Sequence, residues 1–121
     1  MRVTNTVPLE TEEQKTLVHY LKIKKLFYFA VPNGSVLKGN KLQRAMQMAK
    51  LKSEGLVPGV SDIVVLMPTV IVFIEMKRTK GSAISKDQVE FLKRVNEYPF
   101  AVGRVCKGAK SAIDFIEEYL K

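Results

Sequence analysis

Two acids and a lysine near the middle of the chain have the types and the spacing for chemistry on a phosphate group. Asp62 lies in an apolar run over residues 60–67, Glu75 lies in a second run over 70–76, and Lys77 follows it directly. Both runs are short and rich in Val and Ile, the pattern of paired strands buried on both faces. If Pro68 and Thr69 form the loop between them, Met67 faces Val70 and the register sets Asp62 opposite Glu75. Opposed residues of an antiparallel pair point to the same face, with Cβ atoms about 4.5–5.5 Å apart. Lys77, two residues beyond Glu75, falls on that face as well. Proline is awkward in the tightest hairpin turns. A symmetrically wider loop keeps this register, whereas an odd-length loop or a bulge shifts it.

Two carboxylates opposed in an apolar hairpin repel, and desolvation raises the cost of both charges. A divalent cation together with the Lys77 ammonium offsets that cost. The competing reading leaves both acids at strand ends in water, with Lys77 an ordinary surface partner. Phosphodiester hydrolysis needs an activated water, neutralisation of the phosphate charge and a cation near the attacking oxygen. An Asp, a Glu and a Lys on one face supply those parts. With one His and one Cys in the chain there is no soft-ligand zinc site to assemble. A metal here is held by carboxylates, which favours Mg²⁺ or Mn²⁺.

The elements that must position these residues follow from pattern. Residues 11–24 read as a first helix, with Thr11 and Gln14 as a capping box and Leu17, Val18 and Leu21 as the apolar stripe. Residues 27–31 read as a strand stopped by Pro32-Asn33-Gly34. Residues 42–54 have helical spacing, and Gly55 stands where a terminating glycine belongs. After the hairpin come a helix over 85–97 opened by a Ser85/Gln88 capping box, a strand over 100–106 and a final helix. In that last helix Ala109, Ala112, Ile113, Ile116 and Leu120 share a face. The order αβαββαβα predicts an α/β fold, a mixed central sheet flanked by helices.

Length and composition set the outer bounds. The 121 residues fit one domain spanning 1–121, long enough to bury a core. Residues 46% apolar and 26% charged are an ordinary globular mixture. There is no 18-residue apolar run and no apolar stretch at the N-terminus, so neither a membrane span nor a signal peptide is expected. Cys106, with no partner for a disulfide, reads as a buried apolar residue in a reducing cytoplasm. Lys and Arg number 20 against 12 Asp and Glu, a formal charge of +8. That balance suits a polyanion, though a basic surface that serves only solubility has the same count.

The run Gly59-Val60-Ser61-Asp62-Ile63 followed by Ile74-Glu75-Met76-Lys77 resembles the PD-(D/E)xK nuclease motif. More narrowly, the chain resembles the VRR-NUC family, especially its small stand-alone members in phages and bacteria. The resemblance takes in Glu12-Glu13-Gln14, Val31-Pro32-Asn33-Gly34, the segment from Lys52 to Gly59, and Gly81 with Gln88 after the lysine. It departs at Ser61, where the family usually has proline.

The resemblance implies a restriction-endonuclease-like core and a metal-dependent DNA endonuclease. Asp62 and Glu75 would ligate the metal together with the Met76 carbonyl, and Lys77 would position the water. The family also has a glutamate on its first helix near the metal. Glu13 is the choice, one turn before Leu17, with Glu12 as the alternative and Glu10 a more remote one. For all three, complementing the helix dipole is the competing role. Gln88 either stands by the active site or simply closes its capping box. Asn33 and Gly34 either approach DNA or only end a strand.

Lys38, Lys41, Arg44, Arg78 and Lys80 are candidate phosphate contacts, which position DNA without reading bases. No zinc finger or recognition-helix signature is visible. Similarity to Holliday junction resolvases implies branched or structured DNA as partner and a homodimer, in the cytoplasm of a bacterial or phage-infected cell. The rival readings are a nucleic-acid-binding module without turnover, a structural protein, and a monomeric flap or nicking nuclease.

Overall fold

The hairpin closes as its loop length requires. In the computed structural model, which describes residues 6–32 and 37–120, β2 (Ile63–Leu66) and β3 (Ile71–Lys77) run antiparallel. The Met67 N–H donates to the Val70 carbonyl at 2.9 Å across Pro68 and Thr69. Ile63 stands opposite Ile74 and Leu66 opposite Ile71, so the expected register holds. β1 (Phe27–Ala30) pairs antiparallel with β2, and β4 (Ala101–Lys107) pairs parallel with β3. The result is a mixed four-stranded sheet in the order β1-β2-β3-β4.

Alternation along the strands sorts residues to two faces. On one face Ile63, Val65, Val72, Ile74, Met76 and Cys106 pack with Leu17 and Leu21 of α1 (Glu10–Ile23). Ala112, Phe115 and Ile116 of α4 (Ala109–Glu117) complete that core. Full burial of each large side chain is worth about 1.5–3 kcal/mol, so this layer dominates stability. The other face carries α3 (Lys86–Val95), with Phe91 edge-on to Phe73 at 5.9 Å. Gly103 admits that close approach, since a Cβ there would lie 2.7 Å from Leu92. Cys106 is buried, as expected, and burial pushes its thiol up to about 11.

Two helix starts differ from expectation. α1 begins one residue early, at Glu10, with Leu9 as a cap that offers no side-chain hydrogen bond. Thr11 therefore sits inside the first turn and the Thr11/Gln14 box does not form. α2 (Lys41–Ser53) is instead opened by a full capping box between Asn40 and Gln43. Its far end closes as a Schellman motif: Leu56 N–H reaches the Leu51 carbonyl, Gly55 N–H reaches Lys52, and Gly55 adopts φ 108°. No helix among the described residues is long and apolar enough to cross a membrane.

Candidate active site

Where β2 begins and β3 ends, their register sets two acids side by side. Asp62 lies just before β2 and is held from two directions. Its backbone carbonyl accepts the Val31 N–H at 2.8 Å. Its side-chain Oδ2 accepts the Met76 N–H at 2.7 Å. Glu75 is buried on the neighbouring strand, and alternation points it with Phe73 toward the α3 layer.

α3 then supplies a direct contact. Gln88 Nε2 donates to Glu75 Oε2 at 3.2 Å, while Gln88 Oε1 accepts the Ser85 N–H and the Ser85 hydroxyl accepts the Gln88 N–H. One side chain thus makes both the capping bond and the contact with Glu75. The capping bond orients the amide so that its NH₂ faces the carboxylate. Gly59 lets α3 come this close. It has φ 81°, and a Cβ there would lie 2.3 Å from the Asp87 carbonyl group and 2.6 Å from the Gln88 nitrogen.

A third carboxylate arrives from α1. Ligand oxygens of Glu10, Asp62 and Glu75 all lie within 4.8 Å of one another. The first-helix acid in this group is therefore Glu10, not Glu13 or Glu12. Glu13 Oε1 instead accepts the Ala109 N–H at 3.2 Å, capping the start of α4. Gly108 makes room for it: a Cβ there would fall 3.0 Å from Glu13 Oε2 and 2.8 Å from Thr79. Glu10 and Glu13 share a helix face with Leu17, so side-chain direction did not separate them. The separating quantity was depth along the axis, which depends on where α1 meets the sheet.

The trio is a crowded, partly buried group of acids that could hold a metal ion. Burial, above all, pushes the Glu75 carboxyl from 4.5 up to about 9. The Asp62 carboxylate adds to the rise through a hydrogen bond and its charge, Lys77 opposes it, and Glu10 adds to it. The Glu10 carboxyl is raised too, first by burial and then by Asp62, again with Lys77 opposing. Lys77 is itself buried at the end of β3 and favours the charged form of both acids. Glu75 Oε1 is buried and has no hydrogen-bond partner among the described residues. A set of three carboxylates with one oxygen unsatisfied fits a hard divalent ion.

The basic candidates divide. Lys38, Lys41, Arg44 and Lys80 are exposed. Arg78 is not a free cation. Its Nη2 donates to the Val7 carbonyl at 3.0 Å and its Nε to the Pro8 carbonyl at 3.3 Å, holding the segment that leads into Glu10. Nothing local in sequence announces a contact across that separation. Asn33 and Gly34 lie outside the described residues. At the departure from the motif, Ser61 is fully buried and its hydroxyl has no partner among the described residues, so the position is packed as an apolar one.

No family model matches the chain, and no curated protein matches it. Among solved structures, the chain is similar to a VRR_NUC domain protein, with a TM-score of 0.75 at 19% identity over 95% of this chain and 90% of that one. The αβαββαβα order and the mixed sheet are accordingly the restriction-endonuclease-like α/β fold of that neighbour.

Proposed function

We propose that this chain is a single VRR-NUC-like nuclease domain that hydrolyses DNA phosphodiester bonds with Mg²⁺ or Mn²⁺. The observation that carries the reading is the convergence of Glu10, Asp62 and Glu75, with an unsatisfied Glu75 oxygen and Lys77 beside them. The fold shared with a VRR_NUC domain protein supports it.

In this reading Asp62 and Glu75 hold the ion, Glu10 contributes the third carboxylate, and the Met76 carbonyl is a further donor. The Met76 N–H is aimed at Asp62, and the N–H and C=O of one strand residue project to the same side. A bound divalent ion supplies Lewis acidity at the phosphate and acidifies water at neutral pH. The residues supply the rest. Gln88 holds Glu75 Oε2, so Oε1 is the oxygen left for the ion. The Lys77 ammonium orients the attacking water and stabilises the charge that grows on the phosphate oxygens. Lys38, Lys41, Arg44 and Lys80 contact the backbone phosphates.

The preferred substrate is branched or structured DNA, and the working form is a homodimer acting in the cytoplasm. A domain of this size offers little surface to a four-way junction, and two copies place two sites on two strands. The test is a panel of labelled junction, flap, single-stranded and linear DNAs incubated with Mg²⁺, Mn²⁺ or EDTA. Paired symmetric cuts in the junction, lost in EDTA and in Lys77→Ala with binding retained, are expected. Cleavage that survives EDTA contradicts the metal scheme, and binding without any cleavage favours a non-catalytic module. Flap cutting by a species that sediments as a monomer contradicts the junction assignment.

A further inference from the structure

α2 is stabilised at both ends by its own caps, yet none of its residues is buried. Leu42 is 69% exposed and Met46 is 63% exposed. Ala45 and Ala49 are exposed with them, and the spacing i, i+3, i+4, i+7 lines all four along one stripe. Folding leaves this stripe in water although burying each large side chain would be worth about 1.5–3 kcal/mol. The rest of the helix is of one sign. Lys41, Arg44, Lys50 and Lys52 are its charged residues, and it contains no acid. Glu54, just beyond the helix, pairs with Lys50 at 3.0 Å.

The location gives the stripe a context. Beside the stripe, Met48 and Lys52 of α2 line a cleft of about 460 Å³, and Gln88, which holds Glu75, lines the same cleft. α2 and the Gln88 that bonds Glu75 thus face one cleft.

We infer that α2 is the element that docks DNA at a branch, its apolar stripe set against an opened base step and its cations on the flanking phosphates. The inference rests on the nuclease reading above and names how that site selects its substrate. Intact duplex presents phosphates and polar groove edges along its sides. Apolar base faces become available only where stacking is broken, at a junction, a flap or an end. A one-signed basic rim around an apolar stripe matches that surface. A symmetric α2-to-α2 contact between two copies does not, because it would bring the two basic rims together.

The experiment compares the full chain with Leu42→Gln/Met46→Gln, which keeps helix propensity and charge, and with Lys41→Gln/Arg44→Gln. Binding to a labelled four-way junction and to linear duplex of the same sequence is measured in EDTA over a range of salt. The first variant is expected to lose about tenfold in junction affinity and less than about twofold on duplex. The second is expected to weaken both DNAs together and to lower the salt slope by about two.

An unchanged junction-to-duplex ratio in Leu42→Gln/Met46→Gln overturns the inference. So does a wild-type dimer that this variant converts to monomer in sedimentation, because the stripe is then a contact between copies. Thermal unfolding of both variants at or above the wild-type midpoint shows that folding is intact. Absence of metal-dependent cleavage in the wild type counts against the nuclease reading and leaves the binding comparison standing as its own result.

Discussion

Glu13 Oε1 accepts the backbone N–H of Ala109 at 3.2 Å, tying the first turn of α1 to the start of α4. One turn earlier on the same helix face, Glu10 meets Asp62 and Glu75. Two acids of one type and similar setting thus have separate tasks, and substitution distinguishes them. Glu13→Gln is expected to cost about 0.5–2 kcal/mol of stability, as loss of a charged helix cap does, with divalent-ion affinity unchanged. Glu10→Gln is expected to leave stability near wild type and to reduce Mn²⁺ affinity roughly tenfold or more. Chemical denaturation and Mn²⁺ titration read the two effects independently.

The raised Glu75 carboxyl makes stability depend on pH in a direction opposite to that of an ordinary ion-paired acid. Its folded value of about 9 exceeds the ordinary 4.5, so the folded chain holds the proton more tightly than the unfolded one. That contribution is complete below about pH 4.5 and is lost as pH rises toward about 9. In EDTA the melting temperature should fall between pH 5.5 and 8.5, and Glu75→Gln should flatten that slope. A divalent ion competes with the proton, so its affinity should rise across the same window with proton release. Thermal unfolding at several pH values, with and without metal, checks both.

Gly59 and Gly81 share a positive φ, 81° and 82°, but only Gly59 faces backbone where a Cβ would go. Gly81→Ala should cost about 1 kcal/mol for backbone strain alone. Gly59→Ala should cost about 1–3 kcal/mol more from overpacking. It should also push the start of α3 away, breaking the Gln88–Glu75 bond and weakening metal binding. Paired denaturation curves give the difference.

Arg78 offers a direct test of positioning against phosphate contact. Its hydrogen bonds to the Val7 and Pro8 carbonyls fix the entrance to α1. Arg78→Ala should therefore reduce Mn²⁺ affinity roughly tenfold while the salt slope of DNA binding stays constant. A phosphate-contacting arginine would instead lower that slope by about one and leave metal affinity alone. Arg78→Lys should recover little, because an ammonium does not reproduce the guanidinium fork.

What was legible in sequence was local. The two-residue loop at Pro68-Thr69 determined which residues of β2 and β3 oppose, and the Asp62–Glu75 pairing followed by alternation. The Ser85/Gln88 capping box formed as its spacing implied. The Asn40/Gln43 box was equally visible in the sequence and would have placed the start of α2 correctly. The Thr11/Gln14 pattern failed because the chain turns helical one residue sooner, with the Val7-Pro8 segment held by Arg78. The choice among Glu10, Glu12 and Glu13 was a tertiary matter. It depended on how far α1 overlaps the end of the sheet, a distance that helical periodicity does not carry. The same holds for Gly59 and Gly108, whose spatial neighbours lie far along the chain.

The most direct measurement is a crystal structure with Mn²⁺, located by its anomalous signal. One strong peak is expected, coordinated by Glu10, Asp62 and Glu75 with Lys77 adjacent, and it should disappear in Asp62→Asn. A fully occupied ion elsewhere on the chain, or an empty carboxylate cluster at saturating Mn²⁺ near pH 8.5, would contradict it.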